Sequence, residues 1–221
     1  MKIASQKKKS LHAPLNWVAI IATLLGARIA LAADASSFKP PPGAKVALVV
    51  FEDLQSGDSA RVDPLLRQAA SVHSIPIVLY EFPLPMHNWS FDAAVWARFF
   101  YARSEKVGNQ FRKYIYANQT KITFANLRLF VQKFGKQNRI PIPAVNDPGG
   151  KRAARVKADF ALGQHIGLVH TPTVFVVTQT GVSAPLVETF TPDELDQLIE
   201  RTLKESAVET SPQLSTKKGG R

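Results

Sequence analysis

Two serines stand where a helix begins. Val46-Ala47-Leu48-Val49-Val50-Phe51 is an unbroken apolar run of buried-strand length, Glu52-Asp53-Leu54-Gln55 carries it on, and a helical pattern departs from Ser56-Gly57-Asp58-Ser59. A hydroxyl at such a point has three chemistries open to it. It can cap the helix, contributing ~1 kcal/mol by accepting from an amide two or three residues on. It can donate to an anion held in the positive potential of the helix terminus. It can act as a nucleophile only beside a base that takes its proton. The chain has five histidines but no Gly-x-Ser-x-Gly, no His-Glu-x-x-His and no glycine-rich phosphate loop, so hydrolysis is a minor reading and capping the leading one. Asp58 reads as a partner of the helix dipole. Glu52 and Asp53 read as solvated carboxylates at a strand end.

Cysteine is absent from all 221 residues. That excludes disulfides, cysteine nucleophiles, thiol exchange and zinc–cysteine sites, and stability must come from the apolar core that 45% hydrophobic residues supply. No metal and no cofactor is expected.

The N-terminus reads as an export signal. Lys7, Lys8 and Lys9 precede the apolar stretch Leu15 to Leu25, and Ala30-Leu31-Ala32 supplies the small residues a signal peptidase requires before Ala33-Asp34. The stretch is short of the ~20 residues a bilayer span needs, and Arg28 interrupts it, so residues 1–32 are expected to be removed, leaving no stable membrane span and placing the mature chain in the periplasm or outside the cell. Those residues carry five of the bases and no acid, and the formal charge falls from +11 to +6 without them. The remaining cations, among them Arg61, Arg67, Arg98, Arg103, Arg112 and Lys113, are dispersed like a solvated surface, and no nucleic-acid partner is expected.

Residues 33–43, with Pro40-Pro41-Pro42, read as an extended leader. After Ser56, the positions Val62, Leu65, Leu66 and Ala69 recur at helical spacing, with a kink expected at Pro64. Ile75 to Phe82 reads as a second strand, giving a βαβ unit. From about 90 to 167 the periodicity is helical. Ser90 is placed as a cap before Phe91, Thr123 as a cap before Phe124, Leu127 and Val131, and Asp147-Pro148 as the opening of a last helix with Val156 and Phe160. Val174 to Thr178 and Pro185 to Phe190 form a hairpin around Thr180-Gly181. Thr191-Pro192-Asp193-Glu194 opens a final helix striped by Leu195, Leu198, Ile199 and Leu203, and residues 207–221 are expected to be disordered.

Ser56-Gly57-Asp58-Ser59 after a strand, Phe82-Pro83-Leu84-Pro85-Met86-His87-Asn88, Ala158-Asp159-Phe160-Ala161-Leu162-Gly163 followed by Gly167, and Thr171-Pro172-Thr173 before Val174-Phe175-Val176-Val177 together resemble one family. It is the disulfide oxidoreductase A (DsbA) branch of the thioredoxin superfamily, and the resemblance covers residues 44–206. It implies an α/β thioredoxin fold, a central mixed sheet with a helical subdomain inserted at about 90–167. In that family a Cys-x-x-Cys pair opens the first helix and faces a cis-proline. Ser56 and Ser59 replace both thiols here, so no catalytic residue is intact although a family-level label would be thiol-disulfide oxidoreductase.

What the resemblance leaves is a binding edge. Thr171 and Pro172, with His170 beside them, border a groove in which the Thr171 amide and carbonyl face an extended peptide. His170 is also the histidine that the resemblance brings toward Ser56. The expected function is an exported, redox-inactive protein binding extracytoplasmic protein segments as a chaperone, adaptor or assembly factor, with some of Trp89, Trp96, Phe100 and Tyr101 exposed around the groove. A second reading comes from kappa-class glutathione transferases, which also resemble DsbA and use a serine here: an enzyme in which Ser56 binds a small thiol or anion.

Overall fold

Every residue of β1, Val46–Glu52, is buried, as a strand with no polar alternation requires when both its faces are covered. A computed structural model describes residues 35–183 and 185–210. The expected signal segment and residues 211–221 of the expected tail lie outside them.

β1 pairs in parallel with β2, Ile77–Glu81, and antiparallel with β3, Thr173–Thr178, which pairs with the two-residue β4, Leu186–Val187. The mixed sheet has the order β2-β1-β3-β4. Alternate side chains of the central strands serve two cores. Val46, Leu48, Val50, Val174 and Val176 pack against α1, Gly57–Val72, and α6, Pro192–Thr210. Ala47, Val49, Phe51, Phe175 and Val177 pack on the other face with Phe82, Ile166 and Leu168.

Four helices lie between β2 and β3: α2, Ser90–Tyr101; α3, Glu105–Asn118; α4, Leu127–Gln137; and α5, Lys151–His165. Trp89, Trp96, Phe100, Phe111, Ile115, Val131 and Phe134 give this insertion a core of its own, and Leu54 from the sheet side joins it. Glycine lets two of the contacts close. A Cβ at Gly108 would meet the Cα of Tyr101 at 2.8 Å, and one at Gly163 would meet the Phe82 ring at 2.5 Å. No helix among the described residues is long and apolar enough to cross a membrane.

Several local expectations change. Ser90 is the first residue of α2 and gives its hydroxyl to Asp53 instead of capping the helix. Thr123 caps a turn, accepting from the Asn126 amide at 3.3 Å, so α4 starts at Leu127 and Phe124 is left 64% exposed. Asp147 accepts from the Ala153 amide at 2.8 Å from outside α5, whose N-cap is Gly150 at φ +64°. Phe38, expected in an extended leader, is buried beside Phe51, Tyr80 and Phe175. α6 continues four residues past 206, to Thr210. Its start matches the sequence: the Glu194 amide donates to Thr191 Oγ1 at 3.2 Å and the Thr191 amide to Glu194 Oε2 at 2.7 Å, a reciprocal capping box.

Candidate functional site

Ser56 is the N-cap of α1, in extended backbone at φ −75° and ψ 124°. Its Oγ accepts from the Ser59 amide at 3.2 Å and donates to the Thr171 carbonyl oxygen at 3.0 Å. One hydroxyl carries one proton, and here it goes to the backbone. Ser59 is fixed as well, its Oγ accepting from the Asp53 amide at 3.3 Å. Both serines are buried, while Gly57 between them is exposed. Asp58 pairs with Arg61 at 2.5 Å on the outer surface, an exposed pair of small energetic weight.

The Thr171-Pro172 peptide bond is cis, and Pro172 lies one residue from the Ser56 contact. Neighbouring strands hold this corner. The Pro172 carbonyl accepts from the Glu188 amide at 2.8 Å, and Thr173 Oγ1 donates to the His170 carbonyl at 2.9 Å. His170 meets Glu188 through Nδ1 at 2.7 Å and is half exposed, next to the exposed Val169. The histidine that the resemblance brought toward Ser56 therefore pairs with Glu188, and no base takes the Ser56 proton among the described residues. Thr171 itself is 3% exposed, its carbonyl takes the Ser56 hydroxyl, and its Oγ1 is buried without a partner among the described residues. The pairing edge is narrower than expected: the Thr171 amide has no partner among the described residues, whereas the carbonyl is already engaged.

Glu52 and Asp53 are not solvated. They are 3% and 1% exposed, and loop groups for Asp53 and helix side chains for Glu52 supply what water would have given. Asp53 accepts from the Gln55 amide at 2.7 Å, the Leu84 amide at 2.7 Å and the Ser90 hydroxyl, and lies 2.7 Å from His87 Nδ1. Glu52 is bound by the Arg112 guanidinium and by the Tyr116 hydroxyl at 3.1 Å. The same Arg112 holds Glu81, the parallel-register partner of Glu52. Arg98 adds contacts to Glu81 at 3.4 Å and to Asp159. Arg112, counted by sequence with the surface cations, is 2% exposed. Burial pushes the Glu81 carboxyl up to about 8 against the pull of Arg98, and it lowers Arg112 to about 10. Two guanidiniums, Arg98 and Arg112, face three carboxylates here, Glu52, Glu81 and Asp159.

Sequence reasoning missed Arg112, Gln119 and Asp159. Gln119 donates to the Leu54 carbonyl at 2.8 Å and the Ser56 carbonyl at 3.0 Å, fixing the loop that presents the serines. No local pattern marks such residues, because their partners lie 31 to 78 positions away. Of the aromatics expected around the site, Trp89, Trp96 and Phe100 are core residues and only Tyr101, 43% exposed, reaches solvent.

No family model and no curated protein sequence matches the chain. Solved structures do. Wolbachia pipientis alpha-DsbA1 superposes with a TM-score of 0.66 at 13% identity, over 78% of this chain and 93% of that one. A linker-deletion variant of Proteus mirabilis ScsC gives 0.63 at 16% identity, over 86% and 89%. The chain has the DsbA-like thioredoxin fold. A third DsbA-like neighbour, the thiol-disulfide exchange protein alpha-DsbA2 of Wolbachia pipientis, gives 0.60 at 13% identity, over 80% and 97%. Identities this low establish a shared fold, and the DsbA-like scaffold here carries no cysteine at all.

Proposed function

We propose that this DsbA-like protein is exported, has no thiol chemistry, and binds extended segments of other extracytoplasmic proteins beside Thr171-Pro172 as a chaperone, adaptor or assembly factor. The observation that carries the reading is the Ser56–Thr171 hydrogen bond. A serine hydroxyl at that helix terminus is too weakly acidic to ionise near neutral pH, and oxygen has no stable counterpart of the disulfide. In this chain it serves as an internal tie. The scaffold around it retains an unpartnered Thr171 amide and an exposed rim of Gly57, Val169 and His170, a surface suited to a partner's main chain. The alternative enzyme, with Ser56 holding a small thiol or anion, is disfavoured because the proton such a ligand would need is already donated to a carbonyl.

The test joins two measurements. Insulin reduction and refolding of a scrambled substrate are expected to stay at background with the wild-type chain; catalysis above it refutes the loss of redox chemistry. A photo-crosslinking residue at His170 is expected to capture extracytoplasmic proteins that the same residue at Lys204 does not. Equal capture at both positions, or none at His170, refutes the binding site.

A further inference from the structure

The second candidate surface is the free edge of the sheet. In the parallel β1–β2 pair, the Leu48 amide donates to the Pro76 carbonyl at 2.9 Å and the Phe82 amide to the Glu52 carbonyl at 2.8 Å, so Pro76, Val78, Tyr80 and Phe82 turn their backbone toward β1. Ile77, Leu79 and Glu81 turn theirs outward. The Glu81 amide is satisfied by Asp159 Oδ2 at 3.1 Å, but the outward N–H and C=O groups of Ile77 and Leu79 have no partner among the described residues. β2 is the outermost strand on its side among the described residues, and Ile77 and Leu79 line a groove of about 450 Å³ walled by Tyr101 and α3. Unpaired edge groups facing an open groove are a template for one more strand.

The wall selects the occupant. Lys106 and Lys113 line the groove and have no ion-pair partner among the described residues, whereas Arg67 beside them is neutralised by Asp63. Glu105 is the one carboxylate on the wall. Neither end of this chain outside the described residues suits it, since residues 1–34 carry five bases and one acid, and 211–221 three bases and no acid. A second copy added edge to edge would set two lysine walls against each other. We infer that the free edge of β2 at Ile77 and Leu79 takes, by strand addition, an extended segment of another protein whose side chains are acidic. This surface is separate from the Thr171 rim, and either can fail without the other.

Amide hydrogen exchange followed by NMR tests it, on the protein purified after expression of the full sequence. The probe is a synthetic peptide of alternating valine and glutamate, with alternating valine and lysine as control. Exchange at Ile77 and Leu79 is expected to slow about tenfold or more with the acidic peptide, Tyr80 staying unchanged because it already faces β1. Leu79→Pro, which removes one outward donor, is expected to weaken binding by up to about tenfold. The Lys106→Glu/Lys113→Glu double variant, which leaves the strand intact, is expected to abolish the preference for the acidic peptide. The inference is overturned if millimolar acidic peptide leaves both amides unprotected, or if the lysine peptide protects them equally. It is also overturned if the amides are protected in the free chain, independently of its concentration for an occupant from its own ends, or increasingly with concentration for a second copy.

Discussion

Ser56 Oγ donates to the carbonyl oxygen of Thr171 at 3.0 Å, across 115 positions of sequence. The contact joins the start of α1 to the corner before β3, and it accounts for the proton that any chemistry at Ser56 would require.

Ser56→Ala is expected to cost ~1–2 kcal/mol, since it strips both the cap acceptor of the Ser59 amide and the donor to Thr171. Urea unfolding followed by far-UV circular dichroism measures it. A change within experimental error would show that the tie contributes nothing to the fold.

Ser56→Cys places a thiol at a helix N-terminus, where its pKa is expected to fall below the ordinary value of about 8.5. Thiolate absorbance against pH reads this directly. The Ser56→Cys/Ser59→Cys chain is expected to gain insulin-reducing activity that the single variant lacks, and a double variant at background would show that the scaffold around the two positions has drifted as well.

Arg112→Met removes the guanidinium shared by two buried carboxylates, and a loss of ~3–5 kcal/mol is expected. Thermal unfolding of the variant checks it. Retention of wild-type stability would mean that Glu52 and Glu81 are held by other partners.

Glu81 gives a pH dependence of known sign. Its carboxyl is raised to about 8 in the folded chain by burial, so the folded state binds its proton more tightly than the unfolded state. The contribution is complete below the unfolded value of about 4.3 and is lost as pH climbs through the folded one. Urea midpoints taken from about pH 5 to about pH 8 are expected to fall more steeply for wild type than for Glu81→Gln. Parallel profiles would place the retained proton elsewhere.

Gly163→Ala drives a methyl to 2.5 Å from the Phe82 ring and 3.3 Å from Phe51. Overpacking of this kind costs ~1–3 kcal/mol, expected as a lowered melting temperature. An unchanged value would show that Phe82 can swing aside.

The corner Thr171-Pro172 was marked by the family resemblance, while the strand over Val46–Phe51, the cap at Thr191 and the helical character of residues 90–167 were legible in the linear chain itself. These last three rest on neighbours within a few positions, where hydrophobic period and capping chemistry act directly on the backbone. The missing sulfur was legible too, because composition alone rules on it. Only the tertiary structure decided that Glu52 and Asp53 are buried, that Arg112 is a core residue, that His170 turns to Glu188, and that the Ser56 proton ends on Thr171. A charged side chain reads as solvated until a distant helix brings its counter-charge, and desolvation with pairing is a property of the assembled pair, invisible in either partner's own stretch of sequence.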